Sequence, residues 1–272
     1  MLLIIFSLIQ GFTEFLPISS QGHLILFEKY FMVSHEISVN NLTILAHFGS
    51  LLAILIYYFR DFLYLLMSLR NFFRPDLDIN VVLLRNLLCT TIPLFFIGYF
   101  FALFISTQFI YSLKTIAITS IIFGVLLYFI DISCLRIKKL SNLTHKSAFL
   151  IGCVQSIALI PGSSRSGLII TCMRFLGYSR VDSTRYSLLC SAPAILGATG
   201  YLMLNSIEED IFIFESILQV SSLIIILCSF LFSYFFIHFL ISWVRRSNFS
   251  IFVIYRVIFG ILLLSLSFYA NL

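Results

Sequence analysis

Pro17-Ile-Ser-Ser-Gln-Gly-His-Leu-Ile25 interrupts the first apolar segment of the chain, and Pro161-Gly-Ser-Ser-Arg-Ser-Gly-Leu-Ile169 interrupts another segment 144 residues later. The two stretches are identical at five of nine positions. Proline, glycine and serine disfavour helix in the middle of each segment. Non-helical backbone at membrane depth is tolerated only where it is buried in protein or lines a water-filled cavity. We therefore predict two re-entrant helical hairpins, over residues 1–31 and 147–176.

The composition supports a membrane location. Of the 272 residues, 60% are apolar and only 11% are charged, whereas soluble domains are roughly half apolar and one quarter charged. Too few charges are present to cover a water-soluble globule, which excludes soluble enzymes and nucleic-acid-binding proteins. The formal net charge of +5 is assigned to loops that contact anionic lipid headgroups. The expected partners are membrane lipids, with no nucleic acid.

Six apolar stretches approach the length of about 20 residues that a helix needs to cross the bilayer. They cover residues 43–59, 84–105, 113–130, 186–204, 217–243 and 249–269. No stretch between them is long enough to form a soluble domain. The chain is therefore predicted to be one integral membrane domain over residues 1–272.

Basic residues predict the orientation, because cytoplasmic loops carry an excess of Lys and Arg. They cluster in four connections, which we place in the cytoplasm: residues 60–85, 136–146, 174–185 and 245–246. The first of these is interpreted as a solvated loop. By contrast, the connection 106–112 has no Lys or Arg, and 205–216 carries four acidic residues. These two face outward, so the first hairpin enters from outside and the second from the cytoplasm.

An internal repeat follows from the same offset. Adding 144 carries the spans that start near residues 43, 84 and 113 roughly onto those near 186, 217 and 249. Each half then has one hairpin and three spans, and an odd number of spans inverts the second half. The predicted fold is an all-α polytopic membrane protein with six transmembrane helices, two re-entrant hairpins and inverted repeats over about residues 1–131 and 147–272. Such repeats with broken helices are typical of transporters.

Polar residues inside these apolar segments are costly and suggest function. Glu14 and His23 flank the first break, Arg165 lies in the second, and Gln10 is one helical turn before Glu14. Backbone N–H groups at a helix start together with a guanidinium bind phosphate, and Arg165 is surrounded by Gly162, Ser163, Ser164, Ser166 and Gly167. The alternative is a structural ion pair of Glu14 with Arg165 that locks two hairpins. His47 is a further candidate, which either reaches the same cavity or serves helix packing.

Two motifs resemble a known family. The stretch from Gln10 to Leu24 resembles the first signature of the undecaprenyl-diphosphate phosphatase family of the bacitracin-resistance type, which has Glu or Gln, a Glu four residues later, Leu-Pro-x-Ser-Ser and a His. Residues 161–167 resemble its second signature, PGxSRSxxT. The chain departs from the pattern at the closing Thr, which falls on Ile169, with Thr171 two residues on.

The resemblance implies hydrolysis of undecaprenyl diphosphate to undecaprenyl phosphate and inorganic phosphate, which recycles the lipid carrier for peptidoglycan synthesis and gives bacitracin resistance. It implies a bacterial inner (plasma) membrane location, with the active site open to the periplasmic side. Glu14, His23 and Arg165 are then the essential residues, and Ser20 and Ser164 lie beside them. A divalent cation, Mg²⁺ or Ca²⁺, is expected, with Glu14 as a contributor to its site. Expected substrate-binding residues are Gln10, Ser19, Gly162, Ser163, Ser164 and Ser166.

Several alternatives stay open. The nucleophile is Ser20 with His23 as its base, His23 itself, or a metal-activated water. A prenyl-phosphate transporter or flippase would share the inverted-repeat architecture, and a homodimer is one option for the oligomeric state. A phosphatase of the PAP2 type is excluded, because its motifs require His at position 171 and Lys at position 67, where this chain has Thr171 and Met67.

Overall fold

The computed structural model describes residues 1–31, 39–75, 78–104, 112–134, 138–208 and 220–269. These residues contain eleven α-helices and no β-strand beyond one isolated bridge. In chain order the helices are α1 (Leu2–Phe15), α2 (Ser20–Phe31), α3 (Val39–Tyr57), α4 (Phe59–Ser68), α5 (Ile79–Phe104), α6 (Leu113–Ser133), α7 (His145–Gln155), α8 (Arg165–Phe175), α9 (Arg180–Glu208), α10 (Val220–Arg246) and α11 (Ser250–Tyr269). The all-helical prediction is confirmed.

Five of these helices, α5, α6, α9, α10 and α11, are long and apolar enough to cross a membrane. A sixth span is formed only if α3 and α4 count together, since the chain bends by 81° between them. The described residues therefore give five or six candidate spans. Most of the predicted outer connections 106–112 and 205–216 lie outside the described residues, as does residue 136.

Both predicted hairpins are pairs of short helices. α1 and α2 pack together around the break at residues 16–19, and α7 and α8 pack around a second break that includes the short 3₁₀ turn Ser156–Leu159. The four helices have 14, 12, 11 and 11 residues, and each is too short to cross a bilayer alone. The interruptions fall at the two proline- and serine-containing stretches, as the sequence predicts.

The interpretation of residues 60–85 as a solvated loop is wrong. Residues Phe59–Ser68 form α4, whose exposed side chains include Phe59, Tyr64, Leu66 and Met67. The two charges at the start of the segment, Arg60 and Asp61, fill only the first turn, and an apolar run follows them. An exposed helix of this kind is suited to the membrane interface.

The long helices bring the two breaks together. α10 packs against both α1 and α3, α11 packs against α6, and α8 contacts α6, α7 and α9. Close approach of α1 to α10 requires glycine, because a Cβ on Gly11 would lie 2.6 Å from Phe232 Cβ. The Ser166 hydroxyl donates to the Leu16 carbonyl at 2.9 Å, which joins the second break directly to the first.

Arg174 has a structural role that the charge count misses. The charge pattern places it among the basic residues of the cytoplasmic connection 174–185, but its side chain is completely buried. Its Nε donates to Asp131 Oδ1 at 2.8 Å, and Arg180 Nη2 lies 2.7 Å from Asp131 Oδ2. This ion cluster ties the end of α6 to the end of α8 and the start of α9. The ion pair with Asp131 offsets part of the desolvation cost of burying Arg174.

Candidate active site

Two serines mark the breaks. Ser19 has φ of 77° and Ser164 has φ of 68°, and they are the only non-glycine residues with positive φ in the described chain. Such a conformation costs on the order of 1–3 kcal/mol and occurs mostly where function requires it. The helix that follows each serine begins at a predicted site residue, Ser20 in α2 and Arg165 in α8. The strained serines thereby set the positions of both side chains.

Glu14 is the centre of the cluster. Its Oε1 accepts a hydrogen bond from Arg165 Nη2 at 3.0 Å, and its Oε2 accepts from Ser20 Oγ at 2.9 Å and from Gln10 Nε2 at 3.1 Å. His47 Nε2 lies 3.7 Å from Oε2, which is too long for a hydrogen bond. The carboxylate is buried. Four of the residues singled out in the sequence therefore meet here, and His47 lies beside them.

Gln10 leaves one buried atom without a partner. Its Nε2 donates to Glu14 and lies 3.5 Å from Ser50 Oγ. Its Oε1 has no hydrogen-bond partner among the described residues. The opposite amide orientation would place an oxygen against the Glu14 carboxylate, so the assignment is fixed by chemistry. Leaving a buried carbonyl oxygen unsatisfied costs about 1–3 kcal/mol, which marks this oxygen as a free acceptor in the site.

Arg165 and the serines around it are held in place by hydrogen bonds to the backbone. Arg165 Nη1 donates to the Ser191 carbonyl of α9 at 3.2 Å, and the side chain stays partly exposed. Ser164 caps α8, because its Oγ accepts from the N–H of Gly167 at 3.2 Å. Ser163 is fully buried, and its hydroxyl is within 3.2 Å of two carbonyls of its own loop. The Ser166 hydroxyl donates to Leu16, as described above.

Gly162 is fixed by close packing against α6. A Cβ at this position would lie 2.2 Å from Thr119 Oγ1 and 2.4 Å from the Ile116 carbonyl. The Thr119 hydroxyl also donates to the Pro161 carbonyl at 2.6 Å. The second break is therefore packed tightly against α6.

His23 points to a different set of partners. Its Nδ1 lies 2.7 Å from the Ser19 carbonyl, and its Nε2 lies 2.7 Å from Tyr255 Oη. Because a carbonyl can only accept, Nδ1 carries the hydrogen, and Nε2 of the neutral ring accepts from Tyr255. The ring also stacks on Phe259, with centroids 3.9 Å apart. Neither ring nitrogen is hydrogen-bonded to Ser20, although Ser20 and His23 are about one helical turn apart in the sequence.

Sequence reasoning missed the residues that α11 contributes. Tyr255 and Phe259 hold His23, and Arg256 lies between the two breaks. The sequence pattern of residues 249–269 predicts only an apolar span. An arginine in the middle of a span is itself a functional signal, and it would have directed attention to this helix.

The oxygen atoms of Glu14 and Gln10 fit a divalent cation that a phosphate group also binds. The described residues contain no group of three His, Cys, Asp or Glu side chains that could hold a metal ion. Glu14 and the unpaired Gln10 Oε1 supply oxygen ligands, which Mg²⁺ and Ca²⁺ prefer. Mg²⁺ is commonly bound by one or two carboxylates together with substrate phosphates. These residues therefore fit an ion that a phosphate ligand helps to hold.

Comparisons with known proteins give the family. The family described as bacitracin resistance protein BacA matches residues 3–262. An undecaprenyl-diphosphatase of Pelagibacter ubique is 40% identical over 267 residues, which are 96% of this chain and 95% of that protein. An undecaprenyl-diphosphatase of Campylobacter curvus is 37% identical over 266 residues, covering 96% and 97% of the two chains. The match spans both breaks and every helix that contributes to the Glu14 cluster. The chain therefore belongs to the BacA family.

Proposed function

We propose that this chain is a membrane hydrolase that converts undecaprenyl diphosphate to undecaprenyl phosphate and inorganic phosphate. The observation that carries the proposal is the contact of Glu14 with both Ser20 and Arg165 at the meeting point of two broken helices. The relatives named undecaprenyl-diphosphatase match almost the whole chain. Recycling of the lipid carrier for peptidoglycan synthesis, and with it bacitracin resistance, follows from this reaction.

Arg165 is the proposed phosphate ligand. Its guanidinium can hold two phosphate oxygens in a planar fork. The N–H groups of Arg165 and Ser166, at the start of α8, have no acceptor among the described residues. Such amides carry the positive end of the helix dipole and favour an anion. Preorganised donors of this kind stabilise the charge that develops on the phosphate in the transition state.

Ser20 is the proposed nucleophile, with Glu14 as the proton acceptor. The Ser20 hydroxyl already donates to Glu14 Oε2, whereas both ring nitrogens of His23 are engaged elsewhere. Ser20 Oγ attacks the terminal phosphorus, its proton passes to Glu14, and the bond to the bridging oxygen breaks so that the lipid monophosphate leaves. Water then hydrolyses the serine phosphoester and releases inorganic phosphate.

His23 has a positioning role in this scheme. It donates to the Ser19 carbonyl, immediately before Ser20, and so fixes the strained turn that presents the nucleophile. Direct attack by His23 Nε2 would require the hydrogen bond from Tyr255 to break first. Hydrogen bonds of apo active sites are often rearranged when substrate binds. Trapping of the phosphorylated residue, described in the Discussion, distinguishes attack by His23 from attack by Ser20.

A bound Mg²⁺ or Ca²⁺ would be held by Glu14 and Gln10 Oε1, and it would supply charge neutralisation of the diphosphate. Gln10 and Glu14 are one turn apart on α1, so their oxygens lie on one side of that helix. Ser50 Oγ on α3 lies near the Gln10 amide, and it helps to fix which end of the amide faces Glu14.

The membrane topology is part of the same proposal. We place six spans and two re-entrant hairpins in inverted repeats, with the cluster open to the periplasmic side of the inner membrane. The strained serines before α2 and α8 support an equivalence of the two breaks. The bilayer-length helices and the loop charges support the orientation. A flippase would need a polar path but no hydroxyl bonded to a carboxylate, and for this reason the hydrolase is preferred.

The test is phosphate release by the purified full-length protein in detergent, with a long-chain prenyl diphosphate as substrate. We expect release with Mg²⁺ or Ca²⁺ and little release with excess chelator. Glu14→Gln retains the shape of the side chain but removes the proton acceptor, and it should abolish most of the activity. Absence of release by the wild type with metal present would refute the proposed function.

A further inference from the structure

Arg256 lies between the two breaks, and among the described residues its guanidinium binds only carbonyl oxygens. Its side chain is fully buried on α11. Nη2 donates to the carbonyls of Gly162 and Ser163, at 3.0 Å each, and Nη1 lies 3.4 Å from the carbonyl of Pro17. Nε donates to the Ser120 carbonyl of α6 at 3.1 Å. One guanidinium thereby joins both breaks and a long helix.

These carbonyls need a donor from outside their own segments. The breaks are non-helical backbone, and polar backbone groups at membrane depth must be satisfied by protein or by water. Pro17 is three residues before Ser20, and Gly162 and Ser163 directly precede Ser164 and Arg165. A movement of the guanidinium would therefore shift the proposed nucleophile and the proposed phosphate ligand relative to one another.

The charge of Arg256 has no counter-ion in the described protein. Arg165 is paired with Glu14, and Arg174 and Arg180 are paired with Asp131, but Arg256 forms no ion pair with Asp or Glu in the described part of the chain. The four carbonyls that accept hydrogen bonds from Arg256 are neutral, so its positive charge is left uncompensated in the described part of the chain. In a buried site a charge of this kind favours the binding of an anion nearby.

Two glycines leave room for this side chain. A Cβ at Gly167 of α8 would lie 3.0 Å from Arg256 Nη1. A Cβ at Gly124 of α6 would lie 3.2 Å from Arg256 Cβ and 3.4 Å from its Nε. The three atoms nearest to a Cβ at Gly124 all belong to Arg256, so a substitution there acts on the site through Arg256.

We propose that Arg256 is a positioning residue for the hydrolysis reaction: it holds the two breaks in register, and its charge is balanced by the diphosphate of the bound lipid. The inference rests on the proposed function, since it needs a diphosphate beside Arg165. It predicts that the geometry and the charge of Arg256 have separable effects. Geometry sets the turnover number, and charge sets the affinity for the anionic substrate.

Two substitutions separate these effects. Arg256→Lys keeps the charge but cannot reach carbonyls of three segments with a planar fork, so kcat should fall at least about 10-fold with KM within about 3-fold of the wild type. Arg256→Gln also removes the charge, and KM should rise about 10-fold in addition. Arg246→Gln is the matched control, because Arg246 is an exposed arginine at the end of α10. It should change neither constant.

The experiment measures kcat and KM for a prenyl diphosphate and the thermal unfolding temperature of each purified variant. Equal values of kcat and KM for Lys and Gln at position 256, with both variants destabilised, would show a merely structural role and overturn the inference. Wild-type constants in both variants would overturn it as well. An inactive wild type would instead refute the proposed function. The Arg165→Lys variant is assayed in parallel, so that the effect of losing the phosphate ligand can be compared with the effect of replacing Arg256.

Gly124→Ala covers the case in which the Arg256 variants do not fold. The added methyl group pushes on Arg256 Cβ and Nε while leaving the guanidinium charge in place. We expect kcat to fall about 3- to 10-fold at unchanged KM. An unchanged kcat in a folded Gly124→Ala protein would count against a positioning role.

Discussion

Ser20 Oγ donates a hydrogen bond to Glu14 Oε2 at 2.9 Å, across the break that separates α1 from α2. The hydroxyl and the carboxylate belong to different helices of one hairpin, and the strained Ser19 lies between those helices. In this arrangement the proposed nucleophile and its proposed proton acceptor are already in contact in the protein without substrate. Three of the five predictions that follow concern this cluster.

A phosphoserine should accumulate transiently on Ser20. Rapid acid quench with substrate labelled in the terminal phosphate should trap an acid-stable adduct on the wild type and none on Ser20→Ala. Ser265→Ala, at an exposed position of α11, should give the wild-type adduct. An acid-labile adduct that persists in Ser20→Ala would move the nucleophile to His23. No adduct under any quench would favour a metal-activated water.

Replacement of Arg165 by Lys should reduce kcat/KM by at least about two orders of magnitude, in line with the loss of a preorganised donor. Lysine keeps the charge but loses the fork that holds two oxygens. Phosphate release measures the effect, and the exposed Arg246→Lys serves as the control. Near-normal turnover of Arg165→Lys would leave the pair with Glu14 as a structural lock.

Tyr255→Phe should lower kcat up to about 10-fold with little change in KM, as expected for the loss of one neutral hydrogen bond. The change leaves Nε2 of His23 without its donor while retaining an aromatic ring at the same position. Tyr201→Phe, at an exposed position of α9, is the matched control. If Tyr255→Phe behaves like this control, Tyr255 does not contribute to the reaction.

Gln10→Glu should lower the Mg²⁺ concentration required for half-maximal activity, because a second carboxylate joins the oxygen ligands and raises affinity for the cation. Gln10→Leu should raise this concentration, since it removes the unpaired Oε1. Mg²⁺ titrations of activity at fixed substrate give the comparison. The same midpoint in both variants would place the cation away from Gln10.

The orientation predicts that a cysteine at position 209 reacts with an impermeant reagent added from outside, in a background without the native cysteines. Glu209 belongs to the acidic connection 205–216 and is outside the described residues. A cysteine replacing Arg70, in the basic connection after α4, should react only from the cytoplasmic side. The opposite pattern would invert the topology.

The sequence predicted the parts of the site in which a polar residue interrupts an apolar pattern. Pro17 and Pro161 mark real breaks, and the structure brings Glu14 and Arg165 together although 151 positions separate them. The rotamer of His23 could not be predicted, because its partners Tyr255 and Phe259 lie on a helix remote in sequence. Charge counting also did not reveal the ion pair of Arg174, since burial against Asp131 depends on packing.

The dependence of α1 on α10 has a consequence for biosynthesis. The Ser7 hydroxyl of α1 lies 3.3 Å from the carbonyl of Ile225, 218 positions later, and α10 is one of the main packing partners of α1. The buried Gln10 and Glu14 therefore lack part of their final surroundings until nearly the whole chain has been made. Contacts between such distant residues form slowly. Maturation of the first hairpin should thus be a late, post-insertional event, and truncation before α10 should leave α1 sensitive to membrane quality-control proteases.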